Sequence, residues 1–375
     1  MSKNSNPPAH TFRRFAVIVP AYNEAAGIEQ TIKKLLAVDY PRHLFEVIVI
    51  ADNCTDSTAN FAAKSGAKVW KRNNKGKKGK GYALRWCFDK ILSDNKLYTF
   101  DSVVVIDADS RVRKNILKVF NNAREQGNSV IQGYFSVESK PGVWTNEIIR
   151  IGLTLYNFVR PLGRSKLGLS TGLRGNGMCF SMQTLREVTW DAFSQTEDLE
   201  YGMKLLLKEV KISFASEIIG YNEIPETPKN AESQRERWEV GRLPLIKRYT
   251  GSLLKEAAKK RSFKIFDGLI DLVTPPLVNM LIIVQVMAGL SFLLYLTGFE
   301  NSLLFMWLWV FLFCLGLFHL FLGLYAANAD QSMYSSVLYV PRYACWKLYI
   351  YTKVFIFRRR TFEWVRTPRD VIKNH

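Results

Sequence analysis

The feature that most constrains this chain is a long stretch without a single lysine or arginine. Residues 268–330 hold only three acids, Asp271, Glu300 and Asp330, and no Lys or Arg. Inside it, Leu272 to Phe299 and Asn301 to Ala329 are uncharged runs interrupted only by Glu300. A helix crosses a hydrocarbon core of about 30 Å with roughly 20 residues, and each run is longer than that. The expectation is two transmembrane helices over 268–329, turning at Gly298 to Asn301. Pro275 and Pro276 lie in the first run and read either as a tolerated bend or as a break near one membrane face.

The remaining charge is lopsided. The chain carries 52 Lys+Arg against 33 Asp+Glu, a formal net charge of +19, and its mean hydropathy is close to zero at −0.05. By segment the net charge is +15 over 1–267, −3 over 268–330 and +7 over 331–375. With 48% apolar and 13% aromatic residues the chain is not a disordered one. Five scattered cysteines, Cys54, Cys87, Cys179, Cys314 and Cys345, form neither a disulfide framework nor a zinc-ligand pattern. Lys255, Lys259, Lys260, Arg261 and Lys264 precede the first run; Arg342, Lys347, Lys353 and Arg358 to Arg360 follow the second. Positive-inside reasoning therefore expects an integral inner- or plasma-membrane protein with both long ends cytoplasmic. Met1 to His10 is polar, without an apolar core, so no signal peptide is expected.

Two segments suit the membrane surface. Ser252 to Phe266 reads as an amphipathic helix. Tyr334 to Trp364 mixes aromatic rings with cations, as an interfacial helix does, with a third span as the alternative. The chain thus divides into a polar tail (1–14), an α/β domain (15–250), an amphipathic interface helix (251–267), two transmembrane helices (268–329) and a basic, aromatic C-terminal segment (330–375).

The α/β domain shows alternating strands and helices. Strands are expected at Phe15–Val19, Glu46–Ala51, Lys68–Arg72 and Ser102–Ile106, with helices at Ala25–Val38, Thr58–Lys64 and Gly81–Leu92. Such alternation implies a parallel sheet with right-handed crossovers, whose ligands bind beyond the carboxyl ends of the strands. Those ends carry Pro20-Ala21-Tyr22-Asn23-Glu24, Asp52-Asn53-Cys54-Thr55-Asp56 and Asp107-Ala108-Asp109. Asp107 and Asp109 offer hard oxygen ligands suited to Mg²⁺ or Mn²⁺; the alternative is a helix cap and a solvated acid. Residues 71–80, KRNNKGKKGK, suit a phosphate-bearing ligand, with Lys80 opening a helix. Read alone they are a solvated loop, and no nucleic-acid motif accompanies them, so nucleic acid is not an expected partner. Thr196-Glu197-Asp198 opens a further helix, for which Thr196 is a ready N-cap. On a later predicted helix Gln234, Arg237 and Trp238 fall at i, i+3 and i+4. That face suits either a diphosphate and a sugar or a single buried Trp.

The ordered set VIVPAYNE (17–24), ADNCTD (51–56), DAD (107–109), TED (196–198) and QRERW (234–238) resembles the family 2 glycosyltransferases, in the membrane-bound group related to cellulose, hyaluronan and exopolysaccharide synthases. GKGYAL (79–84) and GNGMCFS (175–181) resemble further segments of that family. The resemblance covers about Phe15 to Trp238. It implies an α/β fold of the GT-A type (Rossmann-like, mostly parallel sheet), followed here by the transmembrane hairpin and interfacial helices. It also implies a nucleotide-sugar donor, commonly a UDP-sugar, and inversion at the anomeric carbon. By motif, Pro20, Tyr22, Glu24 and Asp52 would hold the nucleoside, Lys80 and Asp107 the nucleotide end, and Asp109 a Mg²⁺ or Mn²⁺ ion. Asp198 would be the general base, with Glu197 beside it, and Gln234, Arg237 and Trp238 would contact diphosphate and acceptor. Ala51 and Asn53 depart from the common pattern, which bears on the nucleoside contacts. Direct displacement needs one base and a stabilised leaving diphosphate, and this inventory supplies both.

Three activities fit this reading. The first is transfer of one or a few sugars to a lipid, lipid-linked or glycan acceptor at the cytoplasmic face. The second is processive polysaccharide synthesis, alone as a homo-oligomer or with a partner subunit. The third is an inactive nucleotide-binding membrane protein. With two or three spans and none expected before the catalytic domain, the first is preferred.

Overall fold

The structure, a computed structural model, describes residues 11–94, 99–138, 144–223 and 241–357. These form two compact units, one built from 11–138 and 161–273, the other from 144–160 and 274–357.

The first unit begins with the alternation that the hydrophobic pattern requires. Strand β1 (Phe15–Ala21) is followed by helix α1 (Ile28–Leu36), β2 (Phe45–Asp52), α2 (Thr58–Lys64), β3 (Lys68–Arg72), α3 (Lys80–Ser93) and β4 (Ser102–Val105). Each strand lies within two residues of its expected bounds. Helix α1 is shorter than expected, because the Glu24 carbonyl accepts from Gly27 and Ile28 N–H in a turn that delays its start. β5 (Arg111–Val112), α4 (Ile116–Glu125), β6 (Val130–Glu138), β7 (Met178–Ser181) and β8 (Ile212–Glu223) complete one sheet in the order β3-β2-β1-β4-β7-β6-β8-β5. β3, β2, β1 and β4 are parallel; β7 runs antiparallel to both β4 and β6, so the second half is mixed. Successive residues of β1 and β2 point to opposite sides, and both sides are dry. Val17, Val19, Val47 and Val49 pack under α1 and α4, while Ala16, Ile18, Ile48 and Ile50 pack with α3.

A third layer follows. Leu199, Met203 and Leu206 of helix Glu197–Leu207 pack with Leu245, Tyr249, Leu253 and Ala257 of helix Leu243–Lys260 and with Ile265, Leu269 and Leu272 of helix Phe263–Val273. The amphipathic stretch expected over 252–266 is thus divided between two helices, broken where Arg261 adopts a left-handed φ of +50°. Arg242 ties this layer together by donating to the Asp271 and Leu272 carbonyls at a helix C-terminus.

In the second unit, Leu277–Leu296 and Ser302–Ala326, of 20 and 25 residues, are long and apolar enough to cross a membrane. Pro276 caps the first helix, so the proline pair ends the preceding segment instead of kinking a span. Helix Trp144–Thr154 continues into a π-helical turn, Leu155–Val159. Leu155 packs with Leu320 and Leu324, and a Cβ on Gly323 would collide with it. Arg150 pairs with Asp330 at 2.6 Å and with the buried Glu147 at 3.3 Å. The aromatic C-terminal segment forms helix Val340–Phe357, in which Lys347 is buried although its charge suggested a water-facing position.

Candidate active site

The parallel half of the sheet reverses its winding between β1 and β4, and the loops after β1, β2 and β4 meet there. Asn23 and Asn53 both take left-handed φ values, +55° and +52°, which asparagine tolerates better than most residues. The first two loops are laced together. Asn23 Nδ2 donates to Thr55 Oγ1 (3.0 Å), Thr55 N–H donates to Asn23 Oδ1 (2.8 Å), and Glu24 N–H donates to the Thr58 hydroxyl (2.8 Å). Pro20 lies within β1, and Tyr22 and Glu24 are half-buried beyond its end.

Asp52 is fully committed. Only 5% exposed, it accepts from Arg72 Nη1 at 2.5 Å and from Asn53 Nδ2 at 2.9 Å. Burial pushes its carboxyl pKa up, and Arg72 pulls it back. Arg72 also donates to the Lys77 carbonyl at 2.8 Å, which folds the basic 71–80 loop back on the strand end.

Lys80 is the first residue of α3, after Gly79 at φ +115°. Gly81 must be glycine for this approach, since a Cβ would collide with the Ala192 carbonyl. The Lys80 ammonium donates to Asp107 Oδ1 (2.6 Å) and to the Gly175 carbonyl (2.5 Å), and lies 3.7 Å from Glu197 Oε1. Burial works against its charge, but Asp107 and Glu197 outweigh burial and its pKa rises. Asp107 N–H donates to Asn176 Oδ1 (3.1 Å), Asn176 Nδ2 donates to Ser110 Oγ (2.8 Å), and Gln132 Nε2 donates to the Asn176 carbonyl (2.6 Å). Between the two aspartates Ala108 is buried, its carbonyl accepting from Thr31 at 2.8 Å.

Glu197 and Asp198 open the helix Glu197–Leu207. Glu197 is pushed up to about 7; burial is the main cause, Lys80 opposes it, and the Asp198 charge adds to it. Asp198 is raised as well, first by burial, with Lys80 and Arg174 opposing. Gly175, at φ +80°, passes so close that a Cβ there would sit 3.2 Å from Asp198 Oδ2. Thr196 is the N-cap residue but does not cap with its side chain: its hydroxyl donates to the Gly241 carbonyl at 3.2 Å. The loop before this helix is fixed by Glu200, 2% exposed, which accepts from Phe193 and Ser194 N–H at 3.0 and 2.9 Å.

The structure therefore brings Lys80, Asp107, Glu197 and Asp198 together and places Asp52 in a separate ion pair. Gln234, Arg237 and Trp238 lie outside the described residues. Sequence reasoning missed Arg72, Gln132, Arg174, Asn176 and Glu200. Of these, Asn176 lies within the glycine-rich 175–181 segment, Arg174 just before it and Arg72 within the basic 71–80 run, while Gln132 and Glu200 carried no signal. Among the described residues no three His, Cys, Asp or Glu converge as a complete metal cage. Asp107, 36% exposed at its side chain, and the half-buried Asp109 carry hard oxygen donors of the kind that Mg²⁺ and Mn²⁺ prefer.

Residues 13–241 match the model of the family described as "Glycosyltransferase like family 2". The chain belongs to that glycosyltransferase family, and its sheet is the GT-A-like α/β architecture. It is 26% identical over 266 residues to a probable glycosyltransferase, YdaM, of Bacillus subtilis, covering 68% of this chain and 61% of that protein. It is 28% identical over 274 residues to a beta-monoglucosyldiacylglycerol synthase of Nostoc, covering 69% of this chain and 55% of that one. The chain thus spans a little over half the length of these curated relatives. Among solved structures, the mannosyltransferase PcManGT of Pyrobaculum calidifontis, in complex with GDP-Man and Mn²⁺, aligns with a TM-score of 0.48 at 15% identity, over 87% of this chain and 90% of that one.

Proposed function

We propose that this protein transfers a sugar, with inversion, from a nucleotide-sugar of the UDP-sugar class to a lipid or lipid-linked acceptor at the cytoplasmic face of a membrane. The observation that carries the reading is the charge-unbalanced cluster at the switch point, where one ammonium, Lys80, faces Asp107, Glu197 and Asp198. In this reading Asp198 is the base. It takes the acceptor hydroxyl's proton as that oxygen bonds to the anomeric carbon and the bond from carbon to diphosphate breaks. A carboxyl with a raised pKa accepts that proton more readily than an ordinary one. Lys80 and Asp107 lie at the nucleotide end, where the ammonium offsets charge developing on the leaving group. Pro20, Tyr22, Glu24 and Asp52 frame the nucleoside, Asp52 through the loop that its Arg72 pair holds. Gln234, Arg237 and Trp238 are assigned the diphosphate and acceptor side by motif, and Gly241, three residues beyond Trp238, is tied to Thr196. Mg²⁺ or Mn²⁺, held by Asp109 with Asp107 nearby, would supply Lewis-acid neutralisation of the diphosphate.

The lipid acceptor draws support from the two long apolar helices and from the relative whose name describes a glucosylated diacylglycerol. Polymer synthesis is the second reading, supported by the QRERW motif and by a poly-beta-1,6-N-acetyl-D-glucosamine synthase of Staphylococcus epidermidis at 23% identity. The test is release of nucleoside diphosphate by the purified protein in lipid across a donor panel, with Mg²⁺ or Mn²⁺ and with chelator, followed by product sizing. Donor-dependent release with a small lipid-soluble product is expected. Long chains would favour the second reading, and no release with any donor would sink both.

A further inference from the structure

The pairing of β6 with β7 stops at Gln132 and Met178, with one further bond from Gly133 N–H to the Gly177 carbonyl at 2.8 Å. Residues 174–176, which lead into β7, lie outside that ladder. Gly175 and Gly177 turn the chain there, at left-handed φ values of +80° and +66°. Peptide groups that leave a ladder in a buried place need other partners. Gln132, 2% exposed, supplies them. Its Oε1 accepts from Arg174 N–H at 2.8 Å, and its Nε2 donates to the Asn176 carbonyl at 2.6 Å. A side-chain amide thus stands where a strand would. The segment it holds faces two ways. On one side the Asn176 side chain spans the turn after β4, accepting from Asp107 N–H at 3.1 Å and donating to Ser110 Oγ at 2.8 Å. On the other side the Gly175 carbonyl accepts from Lys80 at 2.5 Å, and a Cβ on Gly175 would sit 3.2 Å from Asp198 Oδ2. The Arg174 charge also opposes the burial that raises the Asp198 pKa.

We propose that Gln132 is a positioning residue for the transfer reaction: by holding residues 174–176 it fixes the spacing between the Asp107–Ser110 turn and Asp198. The inference rests on the transferase reading for the roles of the two sides, the turn at the nucleotide end and Asp198 as the base. Gln132 acts through its neighbours, through Asn176 on Asp107 and through Arg174 and Gly175 on Asp198. In a direct displacement the attacking oxygen must meet the anomeric carbon in line with the departing diphosphate. The spacing of nucleotide and base therefore enters the rate, and a misplacement of about 1 Å costs about 10²-fold. Val130 and Ile131, beside Gln132 on β6, are apolar and wholly buried. Burying an amide in such a place costs free energy unless it is bonded. An apolar side chain of the same shape would fill the space and remove both bonds at once.

The test uses the full chain in nanodiscs and compares Gln132→Met and Asn176→Ala with Leu35→Ala, a core truncation in the last turn of α1. Hydrogen–deuterium exchange over peptides 105–111 and 172–178 reads the link without reference to transfer. In Gln132→Met both peptides should exchange about tenfold faster. In Asn176→Ala the change should be concentrated in 105–111, and in Leu35→Ala neither peptide should change. Steady-state rates then separate positioning from folding. Gln132→Met should lower kcat by about 10²-fold and raise the donor KM, whereas Asn176→Ala should act mainly on KM. A merely structural role would lower kcat through loss of active protein and leave KM alone, as Leu35→Ala should. Should Gln132→Met not fold, Gln132→Glu, which keeps an acceptor for Arg174 N–H, carries the same test. Wild-type exchange over 105–111 in the Gln132 variant would overturn the proposal, whatever happens to transfer. So would kcat and KM values that follow those of Leu35→Ala. Absence of turnover in the wild type, with exchange linked as expected, would overturn the positioning role through the transferase reading and not through the link.

Discussion

Two buried charge groups stand at the same edge of the sheet and behave differently. The Asp52–Arg72 pair is closed: one carboxylate, one guanidinium, each side chain 7% exposed, with Asn53 and the Lys77 carbonyl taking up remaining bonds. The group around Lys80 is open: its ammonium and the Arg174 guanidinium serve three carboxyls, and burial raises the pKa of both Glu197 and Asp198. A balanced pair holds a loop in place. An unbalanced cluster has room for a proton or a charged ligand, which makes it the candidate site.

Mutation should separate the two. Arg72→Ala strands Asp52 without its partner and should cost about 3–5 kcal/mol of stability, seen as a lowered denaturation midpoint, with much of the loss recovered in Asp52→Asn/Arg72→Met. Equal stability of Arg72→Ala and wild type would break the comparison at its closed end. Lys80→Met should leave the melting behaviour less affected than Arg72→Ala while slowing transfer by about 10²–10³-fold, the usual cost of removing one charge-stabilising donor. Initial rates at saturating donor would show it.

The third prediction concerns pH. The Glu197 carboxyl is raised to about 7, so between its ordinary value and 7 the folded protein holds a proton that the unfolded chain releases. Its contribution to stability therefore falls as pH rises through that window. Activity runs the other way, because Asp198 must be ionised. With Asp198 as the base, transfer should rise with pH on the acid side, losing about tenfold per unit below the raised pKa of that carboxyl. Glu197→Gln should remove the fall in stability with rising pH over that window, and a stability–pH curve unmoved by Glu197→Gln would assign that fall to another group. The smallest effect is expected at Gly175→Ala. A left-handed φ and a Cβ 3.2 Å from Asp198 should cost about 1 kcal/mol and a several-fold loss of rate, readable from thermal melts and initial rates.

Much of this arrangement was legible in the sequence. β1 to β4 follow from apolar runs buried on both faces, and the long apolar helices follow from the absence of charge. Lys80 and Asp107 were legible at a helix start and a strand end, where a parallel sheet presents ligand-binding groups, and Asp198 only through its motif. The Arg72 pairing was not, since nothing in a run of six cations marks the one that turns inward. Thr196 looked like a cap from its type alone, yet its hydroxyl finds Gly241, 45 residues away. The antiparallel β7 escaped notice because Met178–Ser181 is too short to show a period. The split of 252–266 into two helices turns on Arg261, whose left-handed backbone no composition signals.

In the proposed mechanism the open cluster joins donor binding to proton removal, with Asp198 responsible only for the latter. Donor binding by titration calorimetry and transfer by product formation should be measured on one preparation of Asp198→Asn in lipid with Mg²⁺ or Mn²⁺. Donor affinity near that of wild type is expected, with transfer reduced by about 10²–10⁴-fold. Transfer at the wild-type rate, or loss of donor binding together with transfer, would contradict it.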